Sequence, residues 1–192
     1  ISANTDVYLP SGILSLRART GDLSVGGRLD VGGVTRTFFD VVSYTDAGRI
    51  TLSADVGAVT LGTQGVVNVA AAAVGGDAGR LIVNATGVLA LDGTLLGQGG
   101  QAGQGGSVEL DVGSLASFTA LNDKLNSGAF TYERTLRVRT GGVVVLDAVA
   151  GRKGIFSRTL LQQAILDGRP LQVQGATAAR LELGPWSRRS LP

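Results

Sequence analysis

The sequence predicts an all-β fold, a parallel β-helix (solenoid) of about 27–31 residues per coil, with one short helix near the C-terminus. Three observations carry that reading. A phrase Gly-x-Φ-x-Φ, with Φ apolar, starts at Gly21, Gly48, Gly79 and Gly106, and a degenerate copy starts at Arg134, so successive starts lie 27, 31, 27 and 28 residues apart. Within each unit apolar and polar residues alternate with period two, as in strands that bury one face. Glycines recur between the short apolar runs, and several strands per repeat of 20–50 residues is the pattern of stacked units.

Along the chain, Pro10-Ser11-Gly12 is a turn signal before the alternating run Ile13-Leu14-Ser15-Leu16-Arg17-Ala18. Gly-led strands follow at Leu23–Val25 and Leu29–Val31. Residues 32–47, with Phe38-Phe39 and Val41-Val42, read as a loop whose phenylalanines cover the edge of the core. From Gly48 the order is regular: Ile50–Ala54, Val59–Leu61 and Val67–Val69, then Leu81–Ala85, Leu89–Leu91 and Thr94-Leu95. Glycines at the corners are expected to supply positive φ. Tight Asn-Gly or Asp-Gly turns are nearly absent from this segment, which argues against hairpins.

Aligning the phrase predicts inward columns Ile50–Leu81–Val108–Leu136 and Leu52–Val83–Leu110–Val138. Outward, it sets Glu109 and Asp111 opposite Arg137 and Arg139, a favourable cross-strand match. Gly97–Gly106 is a glycine- and glutamine-rich junction. Residues 114–133 read as an excursion from the coil, and Val143–Leu146 as the last buried strand. The expected organisation is a repeat region over 1–150, with loops at 32–47 and 114–133, followed by a capping segment over 151–192. In that segment Thr159 and Gln162 form a capping box and Gly168 a stop, predicting a helix over 159–166 with Leu160, Leu161, Ala164 and Ile165 on one face. Trp186 then packs on the end of the core.

Composition narrows the function. The net charge is only +2, from 17 basic and 15 acidic residues, and the arginines are scattered without interleaved aromatics. A nucleic-acid interface is therefore not expected. There is no Cys, His or Met, so disulfides, thiolate sites and histidine-based triads or metal sites are excluded. No apolar run approaches the ~20 residues of a membrane span. The start at Ile1, with no initiator Met and no signal peptide, is expected of a fragment of a longer chain.

Four motifs invite chemistry. Gly100-x-x-Gly103-x-x-Gly106 lacks the following helix, the Lys-Ser/Thr pair and the distant acidic residue of a nucleotide loop. Gly75-Gly76-Asp77-Ala78-Gly79 does not keep the nine-residue spacing of a calcium repeat. Asn84-Ala85-Thr86 fits a glycosylation sequon, but reads as outward polar positions of a strand. Glu109 and Asp111 share a strand face, as the two carboxylates of a glycan-cleaving enzyme can, yet no aromatic row lies nearby to hold a sugar. No catalytic, cofactor-binding or metal-ligating residue is expected.

The run Asp46-Ala47-Gly48-Arg49-Ile50-Thr51-Leu52-Ser53-Ala54, with Gly105-Gly106 at a junction, resembles the repeats of filamentous haemagglutinin-like exoproteins of two-partner secretion. The resemblance covers roughly residues 14–147 and lies in repeat style. The chain lacks the family's Asn-Pro-Asn-Gly-type secretion element and departs from the pattern after about Ala150. The resemblance implies a right-handed β-helix, export through an outer-membrane partner, and a rod at the bacterial surface that meets host or neighbouring cells.

The function expected is a non-catalytic structural and adhesive segment. The alternatives are the stalk of a contact-dependent toxin, a β-helix polysaccharide lyase or hydrolase, and a subunit that associates end to end through open strand edges.

Overall fold

The computed structural model describes residues 1–139, together with the backbone of 144–147 and 171–174. The described residues are mostly β, with parallel sheets and one short helix. Three parallel ladders are visited in turn. The first holds β1 (Asp6–Tyr8), β4 (Arg28–Asp30), β9 (Val66–Asn68) and β11 (Thr94–Leu96) in that order. The second holds β2 (Ile13–Ala18), β7 (Arg49–Ala54), β10 (Arg80–Leu91), β12 (Ser107–Leu115) and β13 (Glu133–Val138). The third holds β3 (Leu23–Val25), β8 (Val59–Leu61) and the end of β10. Parallel neighbours need long crossovers. Here each crossover is itself made of strands in the other two ladders, so every pass adds one strand beside its predecessor.

The second ladder sets the register. Leu14, Ile50, Leu81, Val108 and Arg134 stand side by side, as do Leu16, Leu52, Val83, Leu110 and Leu136. Successive passes therefore span 36, 31, 27 and 26 residues. The buried members of these columns join Val59, Leu61, Leu29, Val67 and Leu95 from the other ladders in one continuous apolar core.

The first column member is Leu14 rather than Leu23. Leu23–Val25 pairs with Val59–Leu61 in the third ladder, so the run after Gly12 carries the phrase on the first pass. The last strand also sits two residues away from its expected register. Val108 faces Arg134, Leu110 faces Leu136 and Val112 faces Val138. A slip of two keeps the inward face inward. Arg134 then takes an inward position, where its Nε donates to the Phe130 carbonyl at 2.5 Å and its Nη1 to Asn122 at 3.1 Å. Burial pushes this guanidinium below the ordinary arginine range.

Glycine serves close approach more than positive φ. Gly12, Gly48 and Gly79 fall in one column, and a Cβ on Gly48 or Gly79 would strike the carbonyl oxygen of the glycine one pass earlier. Among the described glycines only Gly21 and Gly76 have positive φ. Gly97 and Gly106 make room instead for the ring of fully buried Phe130.

Both expected loops contain structure. Residues 32–47 hold an antiparallel hairpin, β5 (Thr35–Phe38) and β6 (Val41–Tyr44), joined by Phe39-Asp40. Phe38 and Phe39 do not cover the core edge: they are 74% and 90% exposed. Residues 114–133 hold the end of β12 and α1 (Phe118–Ser127). Ser117 caps α1 by accepting from the Ala120 N–H at 3.2 Å, and Leu121 and Leu125 are buried. Lys124 Nζ ties the helix to the Asp92 and Gly93 carbonyls at 2.6 and 2.9 Å. β14 (Val144–Asp147) pairs in parallel with β15 (Leu171–Gln174) rather than with β13. The helix expected over 159–166 and Trp186 lie outside the described residues.

One carboxylate is built into the first ladder. Asp30 is buried and accepts from Arg28 Nη2 at 2.6 Å, from the Gly32 N–H at 2.9 Å and from Asn68 Nδ2 at 2.9 Å. Burial raises its pKa, but the bonds from Asn68, Gly32 and Arg28 outweigh it and hold the carboxyl below the ordinary range. A lowered folded pKa gives stability that is present above the unfolded value, about 3.9, and lost as pH falls through the folded one. Asp30→Asn should cost about 2 kcal/mol at pH 7 in urea unfolding and flatten the loss of stability below about pH 4.

Candidate functional site

The outer face of the second ladder carries a set of mostly polar side chains. Because neighbours are in register, outward residues form rows across the strands. One row runs Arg17, Ser53, Asn84, Asp111 and Arg137, and the next runs Ser15, Thr51, Ile82, Glu109 and Thr135. Over the first row lies a shallow groove of about 480 Å³. Three ladder steps, ~14 Å, separate the strands of Arg17 and Asp111.

An ion pair closes each bank. On one side Arg17 Nε and Nη2 grip Asp55 at 2.9 and 2.8 Å. On the other, Arg139 grips Asp111 through Nε and Nη2, and Arg137 Nη1 stands 3.8 Å from the same carboxylate. Both arrangements are forked, the strongest geometry available to a guanidinium and a carboxylate. The hydrogen bond from Arg17 pulls Asp55 below the ordinary carboxylate range, and that from Arg139 does the same to Asp111. Between the banks lie the neutral side chains of Ser15, Ser53, Asn84 and Thr86. A break in the β10–β12 register falls between Ala85 and Val88, beside Thr86 of the lining.

The carboxylate pair expected from the sequence is here, with altered partners. Asp111 meets both Arg137 and Arg139, whereas Glu109 pairs with Arg80 at 2.8 Å on the preceding strand. Arg80 also stands 3.9 Å from Glu133, bridging three strands. The two-residue slip of β13 is the cause: it puts Thr135, not Arg137, beside Glu109. Arg17 and Asp55 belong to no motif of the sequence reading. Their signal was the match between Leu14-Ser15-Leu16-Arg17-Ala18 and Ile50-Thr51-Leu52-Ser53-Ala54, which places both runs on one face.

Chemically the groove offers hydrogen bonds. A general acid needs a carboxyl kept protonated near neutral pH, and Asp55 and Asp111 are both shifted the other way. The neutral floor suits an uncharged, hydroxyl- or amide-rich strand. Asn84, of the sequon, is an exposed member of that floor. Gly100, Gly103 and Gly106 do not form a phosphate cradle. The Gly100 N–H donates to the Gly76 carbonyl, that of Gly103 to Gly100, and that of Gly106 to Gly97 and Ala129. Asp77 of the calcium-like run is likewise engaged, its Oδ1 accepting from the Gln104 N–H at 2.8 Å. No group of three or more acidic residues able to hold a metal occurs among the described residues.

Comparison with protein-family models, curated proteins and solved structures gives no match to this chain.

Arg139→Ala should raise the Asp111 pKa towards the ordinary carboxylate value, read by carboxyl-carbon NMR. Stability should change by less than about 1 kcal/mol, as for an exposed pair.

Proposed function

We propose that this chain is a segment of a right-handed parallel β-helix, acting as a rigid, non-catalytic structural and adhesive element of a secreted bacterial surface protein. The observation that carries the reading is the repeated visiting of three parallel ladders in the same order, each pass stacking side chain on like side chain. A unit that buries its apolar face only on its neighbours builds length rather than girth. Stiffness follows from continuous backbone ladders. The two middle passes, of 31 and 27 residues, match the repeat interval of the sequence.

The surface role rests on the resemblance to filamentous haemagglutinin-like repeats. Export through an outer-membrane partner follows from that resemblance, as does contact with a host or neighbouring cell. The same rod would serve as the stalk of a contact-dependent toxin. The adhesive surface is assigned to the groove between the Arg17–Asp55 and Arg139–Asp111 pairs, where a glycan or an extended peptide could align along the row of Ser53 and Asn84.

A polysaccharide-cleaving enzyme on the same scaffold would use Glu109 and Asp111. The purified chain should release no oligosaccharide from plant or bacterial polysaccharides, and neither should the double variant that combines Glu109→Ala with Asp111→Ala, while beads coated with the parent chain should adhere to cells. Release of products by the parent chain, abolished in the folded double variant, would overturn the non-catalytic reading.

A further inference from the structure

β5 and β6 are exposed at every residue, unlike any other strand whose side chains are described. A lone two-stranded hairpin is at best marginally stable in water. This one is fixed at its base. The Thr45 N–H donates to the Val34 carbonyl at 3.0 Å, Thr45 Oγ1 accepts from the Val34 N–H at 3.1 Å, and Ser11 and Thr45 hydroxyls meet at 2.6 Å.

Its two faces differ. Residues directly opposite in an antiparallel pair share a face. Thr35 with Tyr44, and Thr37 with Val42, form one face, and the Tyr44 ring lies against Gly75 of the body. Phe38 with Val41, and Arg36 with Ser43, form the other, turned away from the body. Phe39, in the turn, sets its ring edge-on to Phe38 with centroids 5.1 Å apart. Its φ is 55°, a left-handed conformation that bulky residues rarely adopt. A strained backbone that holds an aromatic ring 90% exposed is the kind of feature that persists at binding surfaces.

The charges choose the occupant. Arg36 and Asp40 lie two residues on either side of Phe38, and neither has an ion pair or side-chain hydrogen bond among the described residues. We propose that the hairpin is a self-docking surface, through which two copies of this chain join side by side about a two-fold axis. In an antiparallel approach centred on Phe38, Arg36 of each copy meets Asp40 of the other, twice over. Such an interface is self-complementary, as a two-fold contact requires. Phe38, Phe39 and Val41 form its dry centre and the charges its rim. A lipid surface fits less well, because insertion of the tip would carry Asp40 unpaired towards hydrocarbon. The proposal does not depend on the β-helix or adhesive readings.

Sedimentation equilibrium of the 192-residue chain over a concentration series tests it. The parent chain should dimerise reversibly, and Phe38→Ser with Phe39→Ser should give a folded monomer. Arg36→Asp and Asp40→Arg should each weaken the dimer by roughly tenfold or more. Mixing these two single variants should restore association, because each then presents the charges the other lacks. These side chains are exposed, so an unchanged melting curve separates loss of docking from loss of fold. A parent chain that stays monomeric, a dimer indifferent to both charge reversals, or a mixture that fails to associate would overturn the proposal. So would a monomer that binds phosphatidylcholine vesicles through Phe38 and Phe39.

Discussion

Parallel strands gain their hydrogen bonds only when each pass of the chain returns to the same height and the same register, and here that return is gated by glycine. Before β7 and β10 the backbone of one pass lies so near the last that Gly48 and Gly79 leave no space for a Cβ. That contact sets the strand's start. From it follow the inward columns of Ile50, Leu81 and Val108 and the outward rows of Ser53, Asn84 and Asp111. Where glycine is missing, at Tyr132, the register is held by other means. Phe130 fills the space left by Gly97 and Gly106, and Arg134 is captured by the Phe130 carbonyl and by Asn122 of α1.

That division explains how much of the fold was legible in the sequence. Period-two alternation and the glycine phrase located β2, β7 and the first half of β10, and paired Leu81 with both Ile50 and Val108, because those passes keep glycine in place and differ little in length. The first pass was misassigned because the hairpin insertion lengthens it to 36 residues, which made Gly21 look like the repeat start instead of Gly12. The last strand was misaligned by two because alternation is blind to an even slip. The α1 helix left a signal that strand periodicity obscured: Ser117 precedes Phe118, Leu121 and Leu125, spaced three and four apart.

The candidate site was half legible for the same reason. Asp111 and Arg139 could be paired from the repeat alone, although the partner of Glu109 came out wrong. Arg17–Asp55 required knowing that β2, not β3, borders β7. Bidentate ion pairs stand on both banks of a neutral floor. The two kinds of surface are spatially distinct. One polar groove runs across the ladder, and one hairpin projects from the pass between β4 and β7, so the proposed ligand contact and the proposed contact between copies need not compete.

The central claim is the in-register return of the chain, and distance measurement tests it most directly. Ser15 and Thr135 are 120 residues apart in sequence yet four ladder steps apart in the structure, through Thr51, Ile82 and Glu109. The chain has no cysteine, so nitroxide labels can be placed on cysteines introduced at these two positions alone. Pulsed electron resonance should give one narrow distance, consistent with a backbone separation of ~19 Å. A broad distribution centred far beyond that distance would contradict the stacked register on which the account rests.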